Sequence, residues 1–177
     1  TMHEVGHTLG LRHNFKASKV WSLKEMNDTE KAKGCLVASV MDYSPTNIVP
    51  KDWKQGDYYS TTLGPYDYWA IEYGYKPLGG STSGDVAELK KIASRSGEKE
   101  LAYATDEDTR GIDPDPRTNR WDLGSDPLAF AKNRTKLVAE LWDGLVERVV
   151  KDGEGYQKAR RAFGVLLSSH GQACYMA

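Results

Sequence analysis

Three histidines and a glutamate open the chain in the order His3-Glu4-Val5-Gly6-His7-Thr8-Leu9-Gly10-Leu11-Arg12-His13, the pattern His-Glu-x-x-His-x-x-Gly-x-x-His. Residues four apart share a helix face, so His3 and His7 can grip one ion. A third ligand further along a straight helix would point away. Gly10 can adopt a positive φ without a Cβ clash, which lets the chain turn and bring His13 back to the same ion. Three neutral imidazoles suit tetrahedral Zn2+ and leave its fourth position for water. Glu4, beside His3, is placed to take a proton from that water as it attacks a carbonyl, then to give it to a leaving amine. Any one of these histidines alone would be read as an ordinary surface or core imidazole; the full spaced set points to a zinc hydrolase.

The elements that must position this motif follow from the residues around it. A first helix is expected from about Met2 to Leu9, stopped at Gly10. A short helix is expected between Ser22 and Lys33, ending at Gly34. Residues 39–45, Ser-Val-Met-Asp-Tyr-Ser-Pro, form a tight turn after the apolar run Cys35 to Val40. Gly64-Pro65 starts a helix to Tyr73-Gly74, with Tyr66, Trp69, Ala70 and Tyr73 on one face. Residues 79–84 are Gly/Ser-rich and are expected to be a flexible linker, after which Asp85 caps a helix over Val86 to Ser94. Residues 104–126 are acidic, proline-containing and without a helical or strand pattern. Asp126-Pro127 opens the longest expected helix, to about Lys151, with Leu128, Ala131, Leu137, Leu141, Leu145 and Val149 on its core side. A last helix is expected from Tyr156 to Ser169. The fold class is mainly α, and the organisation is divided into residues 1–78, carrying the zinc motif, and a helical extension over 85–177.

Composition bounds the function. The chain has 177 residues, 39% hydrophobic and 28% charged, enough to build a core. A formal net charge of −1 gives no whole-chain footprint for nucleic acid or an anionic membrane. No apolar run approaches the length of a membrane span. Cys35 and Cys174 are compatible with one disulfide, in an oxidising compartment, or with two buried free thiols. The acidic stretch Asp106-Glu107-Asp108 through Asp113, Asp115, Asp122 and Asp126 offers hard oxygen ligands, so Ca2+ is a candidate, although solvated acidic loops are commoner and the spacing fits no EF-hand. His170 lies far along the chain and is not assigned to the zinc.

The zinc motif together with Ser39-Val40-Met41-Asp42-Tyr43 resembles the metzincin metalloproteases. The resemblance implies that Met41 forms a hydrophobic floor beneath the three imidazoles without binding the ion. It implies that Tyr43, two residues on, assists by stabilising the oxyanion, against a simple packing role. The segment His13-Asn14-Phe15, Met41 to Pro45, and Leu63 to Gly74 are similar to the C-terminal metzincin-type region of large bacterial zinc-dependent metalloproteases. Asp67 is then a structural residue hydrogen-bonded to backbone near the turn. The loop from Ser44 to Val49 would wall the pocket for the substrate side chain just after the scissile bond. In metzincins a twisted β-sheet precedes the zinc helix and holds the substrate as an added strand. Here the chain opens at Thr1, inside the motif, so a piece of a longer precursor is expected: the lower subdomain without its upstream sheet. The resemblance also implies a parent that is secreted or placed in the periplasm or cell envelope. The leading function is a zinc endopeptidase acting on peptide or protein. Its alternatives are a metal-stabilised scaffold without turnover, which the intact Glu4 disfavours, and a zinc amidase acting on a cell-wall amide.

Overall fold

The zinc motif sits on a short helix, α1 (Met2–Thr8), which the left-handed Gly10 (φ +83) terminates. The computed structural model describes residues 1–110 and 112–177. Two helices of one turn follow, α2 (Leu23–Met26) and α3 (Thr29–Ala32), where one helix was expected over Ser22 to Lys33. The reason for the break is Asn27. Its side chain donates to Leu23 O (2.8 Å) and accepts from Gly56 N (2.9 Å) and Asn47 Nδ2 (3.0 Å), which ties it to the following loop. Asp28 then starts α3 by accepting from Glu30 N.

Next comes α4 (Pro65–Tyr75), with Pro65 at its first position as expected. It buries Tyr66 and Asp67, whereas Tyr73 is 47% exposed, so the buried face is narrower than the apolar spacing suggests. The helix α5 (Thr82–Ala93) begins inside the stretch read as a linker: the Ser81 side chain accepts from Gly84 N and caps it, which leaves Asp85 within the first turn. The acidic stretch is not structureless either. The Asp108 side chain accepts from Thr105 N (2.7 Å) and caps the start of α6 (Asp106–Thr109).

The C-terminal part is a hairpin of helices. α7 (Pro127–Trp142), capped by Asp126, stops well short of Lys151 because Gly144 is left-handed (φ 64). A short α8 (Leu145–Val149) follows, and α9 (Gln157–Met176) continues past Ser169 and, at 20 residues, exceeds the 16 of α7. The stripe of α7 that is buried is Phe130, Ala131, Leu137 and Val138; Leu128 is 45% exposed. Phe130 enters the core and fixes that rotation.

One buried cluster holds the site from below. Ala17, Val20, Met26, Leu36, Val37 and Ala38 pack with Tyr66, and with Leu101, Leu123 and Phe130 from beyond residue 85. Each large apolar side chain buried there contributes about 1.5–3 kcal/mol. The two stretches therefore share a core. Among the described residues there is no strand and no helix long and apolar enough to cross a membrane. Both cysteines are free thiols, but the expectation of two buried ones does not hold: Cys35 is half-buried and Cys174 exposed.

Candidate metal centre

His3 and His7 leave α1 on one side, and the turn at Gly10 returns His13 to them. The ring centroids lie 4.8 Å (His3–His7), 5.4 Å (His3–His13) and 4.9 Å (His7–His13) apart. One ring nitrogen from each residue lies within 4.8 Å of the other two, an arrangement that could hold a metal ion.

The outer nitrogens explain why the rings point inward. His3 Nδ1 is bonded to Val40 O (2.7 Å), His7 Nδ1 to Leu11 O (2.9 Å) and His13 Nδ1 to the Asp106 carboxylate (2.8 Å). Carbonyl and carboxylate oxygens only accept, so each Nδ1 carries the proton and each Nε2 keeps a bare lone pair. His13 Nε2 is buried and has no protein partner. An unpaired buried acceptor is costly, and a cation shared with two further Nε2 atoms satisfies it. The donor set fits Zn2+.

Asp106 is the residue that the linear motif does not reveal. Its other oxygen accepts from Arg120 Nη2 (2.6 Å), and the Arg120 guanidinium lies 4.7 Å over the Phe15 ring, which packs on His13. Partial burial alone would raise the Asp106 pKa, but the hydrogen bond from His13 and the positive Arg120 and Arg12 hold it below the usual carboxylate value. The Thr105-x-x-Asp108 capping pattern marks a helix start here, yet nothing in spacing links Asp106 to His13.

Beneath α1, Met41 is fully buried. A Cβ on Gly6 would stand 2.3 Å from Met41 Sδ, so only glycine lets the helix settle this close to the methionine. Asp67 fixes the turn that presents Met41: it accepts from Ser39 Oγ (2.6 Å), Val40 N (2.9 Å) and Gly64 N (2.8 Å). Val40 thus links Asp67 to His3 through one residue, its N–H donating to Asp67 and its C=O accepting from His3. Tyr43 lies against the imidazoles, its ring centroid 5.4 Å from His3 and 4.6 Å from His13, and Trp121 stacks on its other side at 5.1 Å. Glu4 is exposed on α1 and has no ion-pair partner among the described residues.

Next to Tyr43 in sequence, Asp42 is buried with Asp122, and Lys19 is bonded to Asp122. Burial pushes the Asp42 carboxyl well above its ordinary value, and the neighbouring Asp122 adds to this.

Most of the acidic residues weighed for Ca2+ are engaged elsewhere. Asp106 serves His13 and Arg120, Asp108 caps α6, Asp115 pairs with Lys16 and Arg117, Asp122 with Lys19, and Asp126 caps α7. Among the described residues the one cluster suited to a metal is the histidine triad, so calcium has no support. His170 is remote from it and lies 3.6 Å from Cys174 on α9.

No curated protein and no solved structure matches the chain. One family model, described as Met-zincin, does, and it covers residues 1–177. With the triad, its outward hydrogen bonds and the buried methionine below it, the match over the whole length means that the chain belongs to the Met-zincin family and is a zinc-metalloprotease-like module.

Proposed function

We propose that the chain is the zinc-holding part of an endopeptidase, with His3, His7 and His13 as ligands, Glu4 as general base and Tyr43 as an assistant. The observation that carries this is the convergence of three Nε2 lone pairs whose Nδ1 protons are all engaged outside the triad. Zinc bound there supplies Lewis acidity, polarising oxygen and making water a stronger acid at neutral pH.

The chain's own residues do the rest. Val40 O, Leu11 O and Asp106 hold the three imidazoles in one tautomer and one orientation. Glu4, exposed and one position along α1 from His3, accepts the proton of the attacking water at a carboxylate oxygen. It delivers that proton to the amine as the peptide C–N bond breaks. The Tyr43 phenol donates to the carbonyl oxygen as negative charge develops on it. Met41, packed against Gly6, forms the floor that keeps His3 and His7 at a fixed height, the role of a methionine turn. The loop from Ser44 to Val49 walls the pocket for the residue just after the scissile bond.

The test is zinc content of purified protein, followed by peptide cleavage by the wild type and by Glu4→Ala, in the chain as it stands and in a form extended upstream of Thr1. One equivalent of zinc in both proteins, with cleavage lost in Glu4→Ala by about 100-fold or more, supports the assignment. Equal cleavage by the two would refute it.

A further inference from the structure

Two neighbouring cavities border the loop that follows Tyr43, of about 300 Å³ and 260 Å³, and they share Pro45, Arg134 and Ser169 as lining residues. The first is also bordered by Trp121, the residue stacked on Tyr43. The second is walled by apolar side chains of α7 and α9, among them Leu137 and Leu166. Together they form a pocket that starts two residues after Tyr43 and runs back between the two long helices. Its position matches the wall assigned above to the residue following the scissile bond.

The pocket contains one charge. Arg134 lines both cavities, and among the described residues no carboxylate pairs with it. The groups it touches are neutral: Nη2 donates to Thr46 O at 3.3 Å, and the guanidinium lies 5.0 Å over the Phe130 ring. A guanidinium carries five N–H donors, so most of its donor capacity is left for another partner. Every other strongly placed cation near the site has its acid: Lys16 with Asp115, Lys19 with Asp122, Arg120 with Asp106. Burial, with no compensating acid, lowers the Arg134 pKa from its ordinary value. A partly desolvated, unpaired cation at the back of a pocket is costly unless an anion is brought to it.

We propose that Arg134 is the specificity-determining residue of this pocket and selects substrates with a carboxylate side chain, Asp or Glu, directly after the scissile bond. This rests on the peptidase reading for the identity of the ligand as a substrate. The anion site itself is built only from Arg134 and its neutral surroundings. The apolar walls accommodate the methylene groups of the acidic side chain, Ser168 and Ser169 add neutral lining, and the guanidinium meets the carboxylate with its planar fork. Arg134 does not act on the reacting atoms.

The experiment compares matched peptides, blocked at both ends, with Glu or the isosteric Gln at that position. It is read in two ways. Binding to the metal-free protein is followed by NMR, including the Arg134 Nε–H signal, and cleavage is measured on the zinc-loaded protein as kcat/KM. A charge-assisted hydrogen bond predicts that Glu is preferred by about 10- to 100-fold. Arg134→Gln should abolish the preference, and Arg134→Lys, which keeps the charge and a donor for Thr46, should keep part of it with the melting temperature near wild type. The preference should also shrink with added salt. Equal affinity for the Glu and Gln peptides in the wild type would overturn the proposal. So would tighter binding of a Gln peptide with a free C-terminus than of the blocked Glu peptide, since the anion would then be a chain terminus. A Glu preference in binding without zinc-dependent cleavage would retain the anion pocket and refute the peptidase reading. Cleavage without a Glu preference would do the reverse.

Discussion

His13 donates its Nδ1 proton to Asp106 at 2.8 Å, across 93 residues of chain. This contact fixes the third imidazole as firmly as backbone carbonyls fix the first two, and it is the only one of the three that uses a charged acceptor. Asp106→Asn weakens the acceptor and removes the charge that Arg120 also uses. The expected result is a loss of zinc affinity of about 10- to 100-fold, measured by competition with a chromophoric chelator. An unchanged affinity would remove Asp106 from the centre.

The approach of Gly6 to Met41 makes a second expectation. In Gly6→Ala the new methyl group meets Met41 Sδ at 2.3 Å, and either the helix or the methionine must move. Overpacking of this kind costs about 1–3 kcal/mol, read as a lower melting temperature. Shortening the methionine as well, in Gly6→Ala/Met41→Ala, should recover part of the alanine's cost. Purely additive losses would mean that the two residues do not press on each other.

Asp42 sets a pH dependence. Its folded pKa is raised well above the ordinary value by burial and by Asp122. Well below the ordinary Asp value of about 3.9 the acid is protonated in both folded and unfolded chains, and folding is not penalised. As pH rises from there toward the folded pKa, the unfolded chain ionises while the folded one resists, so stability is lost. Asp42→Asn keeps an oxygen for Ser18 N and carries no charge. Denaturant unfolding at a series of pH values should show the wild type falling relative to Asp42→Asn as pH increases through this window. Parallel curves would count against the raised pKa.

The two cysteines give a direct chemical check. Cys174 is exposed, while Cys35 is half-buried, donates to Val37 O at 3.0 Å and has its thiol pKa raised by burial. A maleimide reagent should label Cys174 first and Cys35 only slowly until denaturant is added, with mass spectrometry assigning the sites. Rapid double labelling of the native protein would contradict this burial.

The local features of the site were legible because they depend on local geometry. The i, i+4 histidines, the helix-ending Gly10 and the proline at the start of α4 each follow from one or two turns of backbone. Asp67 was also readable as a clamp on the turn, because the segment around it resembles that part of a metzincin. What spacing could not give were contacts made across the core. Asp106 lies in a stretch whose acidity reads first as solvated loop or calcium ligand, and only the folded chain shows that its charges are used one by one against Lys16, Lys19, Arg117, Arg120 and His13. Nothing in spacing marks Arg134; its significance is that no carboxylate pairs with it among the described residues, and pairing is a tertiary property. The helix limits moved for similar reasons. Asn27 interrupts one helix to bind a distant loop, and Ser81 competes successfully with Asp85 as a cap because its hydroxyl reaches Gly84 N.

The hydrogen bond from His13 to Asp106 also closes a ring of chain between them. An ion that holds His13 in place therefore also pins α6, and its binding free energy is shared with the ordering of that remote segment. Metal occupancy becomes visible far from the ligands in sequence. Backbone amides over residues 105–109 should exchange with solvent more slowly when the triad is loaded, making the acidic loop a built-in reporter of the ion.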